Sequence, residues 1–258
     1  MPIEGRVAVV TGGGRGIGRA AALALAGMGA TVAVLARTVV EIEETAELVA
    51  AGGGEALPIE ADVSDERAVE AAFTQVQRVC GSITILGNNA GIGGGHKPVA
   101  ELDAAEWRRI VDVDLTGAFL CARAAWPDMA EAGWGRIVNV SSSAAANGLP
   151  RFGPVAVAKA GLDHLTRIMA AEGKPQGIAV TALYPGLVDT RLQEEARAGG
   201  VTENGPVLQA MFDRYKTRGL LVPPETPARL IAYLCSDESA RLSGRVLTPE
   251  GVNEAMGT

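Results

Sequence analysis

Lys159 is the one charged residue in "FGPVAVAKAG" (152–161), an otherwise apolar run. An ammonium drawn out of water there needs a partner, because burial disfavours its charged form. One helical turn earlier, on the same face, stands Val155, which offers none. A second stretch able to do chemistry is "TGGGRGIG" (11–18), directly after the apolar "RVAVVT" (6–11). It does not satisfy G-x-G-x-x-G, since counting from Gly12 places Ile17 at the last required glycine. It is not a P-loop either, because no Gly-Lys-Ser/Thr follows. Gly12, Gly16 and Gly18 still permit a tight turn and close backbone approach, and a helix opening there would aim free N–H groups at a diphosphate. A ligand-free strand–helix turn can look the same, but the place after the first strand favours a phosphate site. After "TVAVLA" (31–36) comes Arg37, where a site for NAD would put a carboxylate on the ribose hydroxyls and a 2′-phosphate calls for Arg. Arg15, in the glycine turn, supplies a second cation, so the pattern favours NADP(H) over NAD(H).

The elements that must position these residues follow from hydrophobic periodicity. Strands are expected at 6–11, 31–36, 55–63, 83–91, 135–143, 178–186 and 244–249. Helices are expected at 17–28, 41–51, 65–79, 103–131 and 154–172, with Asp103 and Glu106 spaced as a capping pair. A last helix is expected after Thr226 and Pro227, read as cap then proline. Strands apolar on both faces and alternating with helices indicate a mostly parallel sheet covered on both sides. The expected fold is therefore α/β: one Rossmann-type, doubly wound domain over 1–258, with about seven strands and helices on both faces. A small helical excursion around 191–224, containing "RAGGVTENGP", is set apart on the substrate side. In an open α/β sheet the ligand crevice lies at the carboxyl ends of the strands, where every Gly-, Asn- or Ser-rich junction of this chain falls.

Composition narrows the class. The 258 residues are 48% hydrophobic, and 23 Lys and Arg against 30 Asp and Glu leave a net charge of −7. Such an acidic balance argues against a nucleic-acid partner, which asks for a basic patch, while leaving room for a local phosphate pocket. Cys80, Cys121 and Cys235 are far apart and form no CxxC pair, so no disulfide scaffold or metal site is expected. The start "MPIEGRVAVVTGG" does not read as a signal peptide, and no run of 18 apolar residues suggests a membrane span. A soluble cytoplasmic protein acting on a small molecule is the expectation.

The glycine turn, "NNAG" (88–91), "NVSS" (139–142), Lys159 and "PGLVDT" (185–190) occur in an order that resembles the classical short-chain dehydrogenase/reductase family over nearly the whole chain. The resemblance implies an NAD(P)-binding oxidoreductase working on carbonyl or alcohol groups. It implies that Gly12, Gly16 and Gly18, with Ile17 between them, border the diphosphate. It places Asp62 and Val63 near the adenine, and Asn89, Ala90 and Gly91 beside the ribose. Pro185, Gly186, Val188 and Thr190 would form the loop near the carboxamide. It also implies a homo-oligomer, tetramer or dimer, with the Lys159 helix in an interface.

The family's chemistry uses a Tyr as acid and base, a Lys that lowers its pKa and holds the ribose, a Ser that orients the substrate oxygen, and an Asn in a water relay. By that resemblance the Ser is Ser142 and the Lys is Lys159, but Asp114 stands at the Asn position and Val155 at the Tyr position. A Val cannot exchange a proton, and its neighbours Pro154 and Ala156 do no better. Tyr184, Tyr215 and His96 are the other candidate acids, His96 reading first as a loop residue open to solvent. Losing a positioned acid costs roughly 10²–10⁴-fold in rate. Three readings follow: an NADP(H)-dependent oxidoreductase of atypical mechanism, a non-redox enzyme using Lys159 and Asp114, or a catalytically silent nucleotide-binding member. The first is preferred on the weight of the resemblance.

Overall fold

Seven strands form a single parallel sheet in the computed structural model, which describes residues 3–94 and 96–257. The strands are β1 (Val7–Thr11), β2 (Thr31–Ala36), β3 (Glu55–Glu60), β4 (Ile83–Asn88), β5 (Gly135–Val140), β6 (Ile178–Leu183) and β7 (Val246–Leu247). Their order across the sheet is β3-β2-β1-β4-β5-β6-β7, each pair parallel. Pro58 sits in β3, an edge strand, where a missing ladder donor is tolerated.

Successive side chains of a strand feed opposite cores. From β1, Ala8 and Val10 join one buried cluster while Val7 and Val9 join the other. The first cluster is closed by α1 (Gly16–Ala26), α2 (Val39–Ala51), α9 (Glu225–Leu234) and α10 (Pro249–Met256). The second is closed by α3 (Glu66–Cys80), α5 (Gly117–Glu131) and α6 (Gly153–Gly173), together with the π-helical turn Asp112–Thr116 that joins α4 (Ala104–Val111) to α5. The remaining helices, α7 (Arg191–Ala198) and α8 (Gly200–Thr217), form the excursion, which leaves the body after Val188 and returns at Val222 through a two-residue parallel bridge.

The structure departs from the sequence reading where strands turn into site. The expected strands 55–63, 83–91, 135–143 and 178–186 each end three residues early. Their Gly, Asn, Ser and Pro residues leave the ladder to make the crevice, and β7 shrinks to two residues. The helix expected over 103–131 is interrupted at 112–116 by the π turn. Asp103 caps α4 as expected, accepting from the Ala105 and Glu106 amides. Thr226 and Pro227 do not open the helix expected there: α9 starts at Glu225 behind Pro224, and Pro227 falls in its first turn, where no N–H is missed. The cap-then-proline start occurs instead at Thr248-Pro249, whose hydroxyl accepts from the Gly251 amide and begins the unexpected α10.

Candidate functional site

The strand order reverses between β1 and β4, so a crevice opens at their carboxyl ends. Two polar side chains tie that point together. The Thr11 hydroxyl accepts from the Asn89 and Ala90 amides, and the Asn89 side-chain amide donates to the Thr11 and Gly12 carbonyls at 2.9 and 3.2 Å. Asn89 therefore braces the glycine turn from behind. A Cβ on Gly18 would stand 2.2 Å from the Gly12 carbonyl oxygen, and Gly12 holds a left-handed φ of 62°. Only glycines let the backbone fold this tightly. α1 begins here with no side-chain cap and no acid in its first turn, which leaves its N-terminal amides to an anion. Thr190 faces Gly16 from the other side, its Cγ2 3.3 Å from where a Cβ would be. Ile17 turns into the core. A cradle this narrow, lined by free amides, fits a dinucleotide diphosphate.

Arg19 and Glu41 were not singled out from sequence. The Arg19 Nε donates to the Gly14 carbonyl at 2.9 Å and to buried Thr45 at 3.0 Å, locking the turn to α2. Glu41, on the first turn of α2, pairs with Arg15 at 3.9 Å and Arg191 at 3.2 Å. A carboxylate from the first turn of α2 thus ties the glycine turn to α7. Only the (i, i+4) register of α2, known once its start is fixed, would have pointed to it. Arg37 lies 3.6 Å from Asp62. Burial pushes the Asp62 carboxyl up, but the Ser64 hydroxyl and amide, then the Arg37 charge, outweigh it and hold the group below its usual range. Val63 points away from the crevice, its Cγ2 lying 2.8 Å from where Gly117 would carry a Cβ.

On the far side of Gly91 the structure brings Asp114 and Lys159 into direct contact. The Lys159 Nζ lies 3.5 Å from Asp114 Oδ2 and donates to the Val140 carbonyl at 3.0 Å. The other Asp114 oxygen accepts from the Ile92 amide at 2.8 Å. Asp114 is 2% exposed and sits in the π turn, whose extra residue swings it toward α6. Gly91 passes between: a Cβ there would lie 3.3 Å from Asp114 and 3.4 Å from Lys159. The Val140 carbonyl takes one ammonium hydrogen, and the Asp114 carboxylate balances the charge. Ser142 follows β5, and its hydroxyl oxygen accepts from the Ala144 amide, leaving its own O–H to donate. Half-buried Val155 lies one turn before Lys159 on α6.

The other proton-donor candidates separate clearly. Tyr184 donates to buried Asp163 at 2.6 Å, and burial, with that hydrogen bond second, pushes its phenol up to about 12. It is committed to Asp163. Tyr215 lines a groove of about 520 Å³ with Val207, Met211, Arg214 and Leu220. His96 is not an open loop residue: it is half-buried, stacked on Phe152 at 5.0 Å, and 2.7 Å from the Asn204 oxygen through Nδ1. Its contacts come from residues remote in sequence, so no local signal could have shown them. Gly186 takes a φ of 82° and lies against Pro249, while Val188 is pinned by its bridge to Val222.

Comparison with known proteins agrees with this geometry. Residues 6–200 match the family described as short chain dehydrogenase. The chain is 38% identical over 95% of its length to cis-4-hydroxycyclohexanecarboxylate dehydrogenase of Sinomonas cyclohexanicum, and covers 95% of that protein. A short-chain type dehydrogenase/reductase from Mycobacterium marinum superposes with a TM-score of 0.86 at 32% identity, covering 96% of this chain and 94% of that one. A variant of actinorhodin polyketide ketoreductase solved with NADPH superposes with a TM-score of 0.87 at 31% identity, covering 94% and 95%. Among the described residues no helix is long and apolar enough to cross a membrane. The chain belongs to the short-chain dehydrogenase/reductase family, whose NAD(P)-dependent members oxidise alcohols and reduce carbonyls.

Proposed function

We propose that the protein is an NADP(H)-dependent oxidoreductase that interconverts a carbonyl and an alcohol without a phenol at the usual proton-transfer position. The observation that carries this reading is the buried Lys159–Asp114 pair set beside an intact glycine cradle, with Val155 where the acid is expected. The nicotinamide supplies a hydride when bound. The amides of Gly16, Ile17 and Gly18 would hold the diphosphate, and Arg15 and Arg37 the 2′-phosphate. Their present carboxylate partners lie at 3.9 and 3.6 Å, loose and half-exposed enough for the guanidiniums to turn toward a phosphate. The NADPH-bound ketoreductase relative supports this preference. Asp62 and the Val63 backbone would border the adenine, with Asn89, Ala90 and Gly91 beside the ribose. Pro185, Gly186, Val188 and Thr190 would face the carboxamide. Lys159 would direct a hydrogen to the nicotinamide ribose, Ser142 would donate to the substrate oxygen, and Asp114 would hold Lys159 in place.

The same proposal includes a soluble cytoplasmic homo-oligomer, dimer or tetramer, with no nucleic acid or membrane as partner. Phe119 on α5 and Val157 and Ile168 on α6 are large apolar side chains left exposed, as an interface over these helices would require. Val155 itself favours the second reading, a nucleotide-binding member without turnover. Calorimetric titration with NADPH and NADH, followed by a carbonyl panel assayed with native protein and Val155→Tyr, separates the two. NADPH binding at least tenfold tighter than NADH, with native turnover, supports the proposal. Turnover only in the Val155→Tyr variant establishes the second reading, and failure to bind either nucleotide removes both.

A further inference from the structure

Lys159 and Asp114 form an ion pair buried on both sides, their side chains 10% and 2% exposed. Arg136 and Arg197 are as deeply buried, but the acids facing them are exposed. Water therefore screens the Lys159 pair least, and its charges reach whatever binds beside it. The pair sits at the carboxyl ends of β4 and β5. Val140, the last residue of β5, accepts from the ammonium at 3.0 Å. The Ile92 amide, in the loop that follows β4, donates to the carboxylate at 2.8 Å. Gly91 of the crevice loop passes against both groups, where any side chain would press on them.

The sum of charge at this point is what Asp114 changes. Val155, one turn before Lys159 on α6, brings no charge, and Ser142 is neutral. Asp163, one turn after Lys159, is taken up by the Tyr184 hydroxyl at 2.6 Å. An amide in place of Asp114 would still accept from Ile92, but it would leave the ammonium uncompensated. The carboxylate, 3.5 Å from Nζ, cancels that charge. A nicotinamide ring is neutral when reduced and carries one positive charge when oxidised. The charge of the groups beside it therefore discriminates between the two forms. An ammonium alone favours the reduced form; a neutral pair removes that bias.

We propose that Asp114 is the counter-charge that lets this pocket hold oxidised nicotinamide about as well as reduced, and so sets the potential of the bound cofactor. This rests on the oxidoreductase reading above, in which Lys159 holds the nicotinamide ribose. Asp114 needs no contact with substrate or cofactor for this; it acts by its charge. Relative to an uncompensated ammonium, the pair stabilises the oxidised form and lowers the potential of the bound couple. A lower potential makes the reduced cofactor the stronger hydride donor, so Asp114 favours the carbonyl-reducing direction.

Calorimetric titration with NADP⁺ and with NADPH gives the ratio of their dissociation constants. Contacts to the diphosphate, the riboses and the 2′-phosphate are common to both forms and cancel in that ratio, as does any loss of stability. Native protein should bind NADP⁺ no more than about threefold more weakly than NADPH. Asp114→Asn uncovers one buried unit charge and should weaken NADP⁺ relative to NADPH by about a further tenfold, or about 30 mV for a two-electron couple. Adding Lys159→Met removes the second charge, and the ratio should return to within about threefold of native although both forms bind more weakly. A purely structural role for Asp114 would move both constants together. An unchanged ratio in Asp114→Asn overturns the proposal, as does a double variant that keeps the Asp114→Asn ratio. Native protein binding NADPH more than about tenfold tighter than NADP⁺ overturns it without any variant. If NADH binds in place of NADPH, the NAD⁺ to NADH ratio reads the same charge. Failure of native protein to bind any of these nucleotides overturns the oxidoreductase reading instead.

Discussion

Asp114→Ala should be among the most destabilising single changes in this protein, and the structure allows its size to be worked out. The substitution leaves the Lys159 ammonium, its side chain 10% exposed, with the Val140 carbonyl as its remaining protein partner. It also strips the Ile92 amide of its acceptor. Breaking a buried ion pair from one side costs about 3–5 kcal/mol, because the surviving charge stays desolvated. For a chain of this length each kcal/mol moves the melting temperature by about 2–4 °C, so a fall of about 6–20 °C is expected. Asp114→Asn keeps an oxygen for Ile92 and removes only the charge, and should cost roughly half as much. Adding Lys159→Met to it removes the stranded cation and should bring stability back to within about 1 kcal/mol of native. Thermal and urea denaturation followed by circular dichroism, without nucleotide, measures all of these. An Asp114→Ala protein melting within about 2 °C of native would refute the reasoning. So would a double variant whose loss is the sum of the two single losses, since that means the groups are not coupled.

Gly18→Ala drives a methyl to 2.2 Å from the Gly12 carbonyl, so the turn must open. Calorimetry should show nucleotide affinity falling more than tenfold, with about 1–3 kcal/mol of stability lost in urea. The Tyr184 phenol, raised to about 12 in the fold, stays protonated where an unfolded tyrosine ionises, near about 10. Its stabilising contribution is complete below pH 10 and declines as pH rises toward 12. Absorbance at 295 nm should show Tyr184→Phe losing the latest-ionising tyrosine signal, and loss of an early one would contradict this. Gly205→Ala places a Cβ 2.9 Å from the Arg151 guanidinium at a φ of 71°. Hydrogen exchange should speed up in α7 and α8 while the sheet keeps its protection.

What could be read from sequence divides along physical lines. β1 and β2 were legible because they are apolar on both faces and bounded by glycine or polar residues. The glycine turn was legible because strand, turn and helix follow one another in chain order. The ends of β3, β4, β5 and β6 were not: residues such as Asn89 and Ser141 are as compatible with a strand as with the crevice loop, and only the partner strand shows where the ladder stops. Lys159 announced itself as a charge in an apolar run, and resemblance supplied Asp114, yet their direct contact depends on a π turn that no local pattern marks. Glu41, Arg19 and the His96–Asn204 contact were invisible for one reason: each joins segments far apart in sequence. Residue 96 and residue 204 meet only because a loop and a kinked helix converge over the same helix end.

The excursion holding α7 and α8 is pinned at its neck by two hydrogen bonds, from the Asp189 amide to the Val222 carbonyl and from the Val222 amide to the Leu187 carbonyl. Everything between is thus a loop whose ends already meet, so its closure entropy is met by the neck and not by its contents. Such a segment behaves as a cassette. Its length and side chains can change with little penalty to the sheet, which lets one scaffold vary the surface over its crevice by exchanging a single insert. In this chain the cassette carries Asn204, so an exchange would also replace the group that orients His96. The insert and the set of the loop after β4 would then change together.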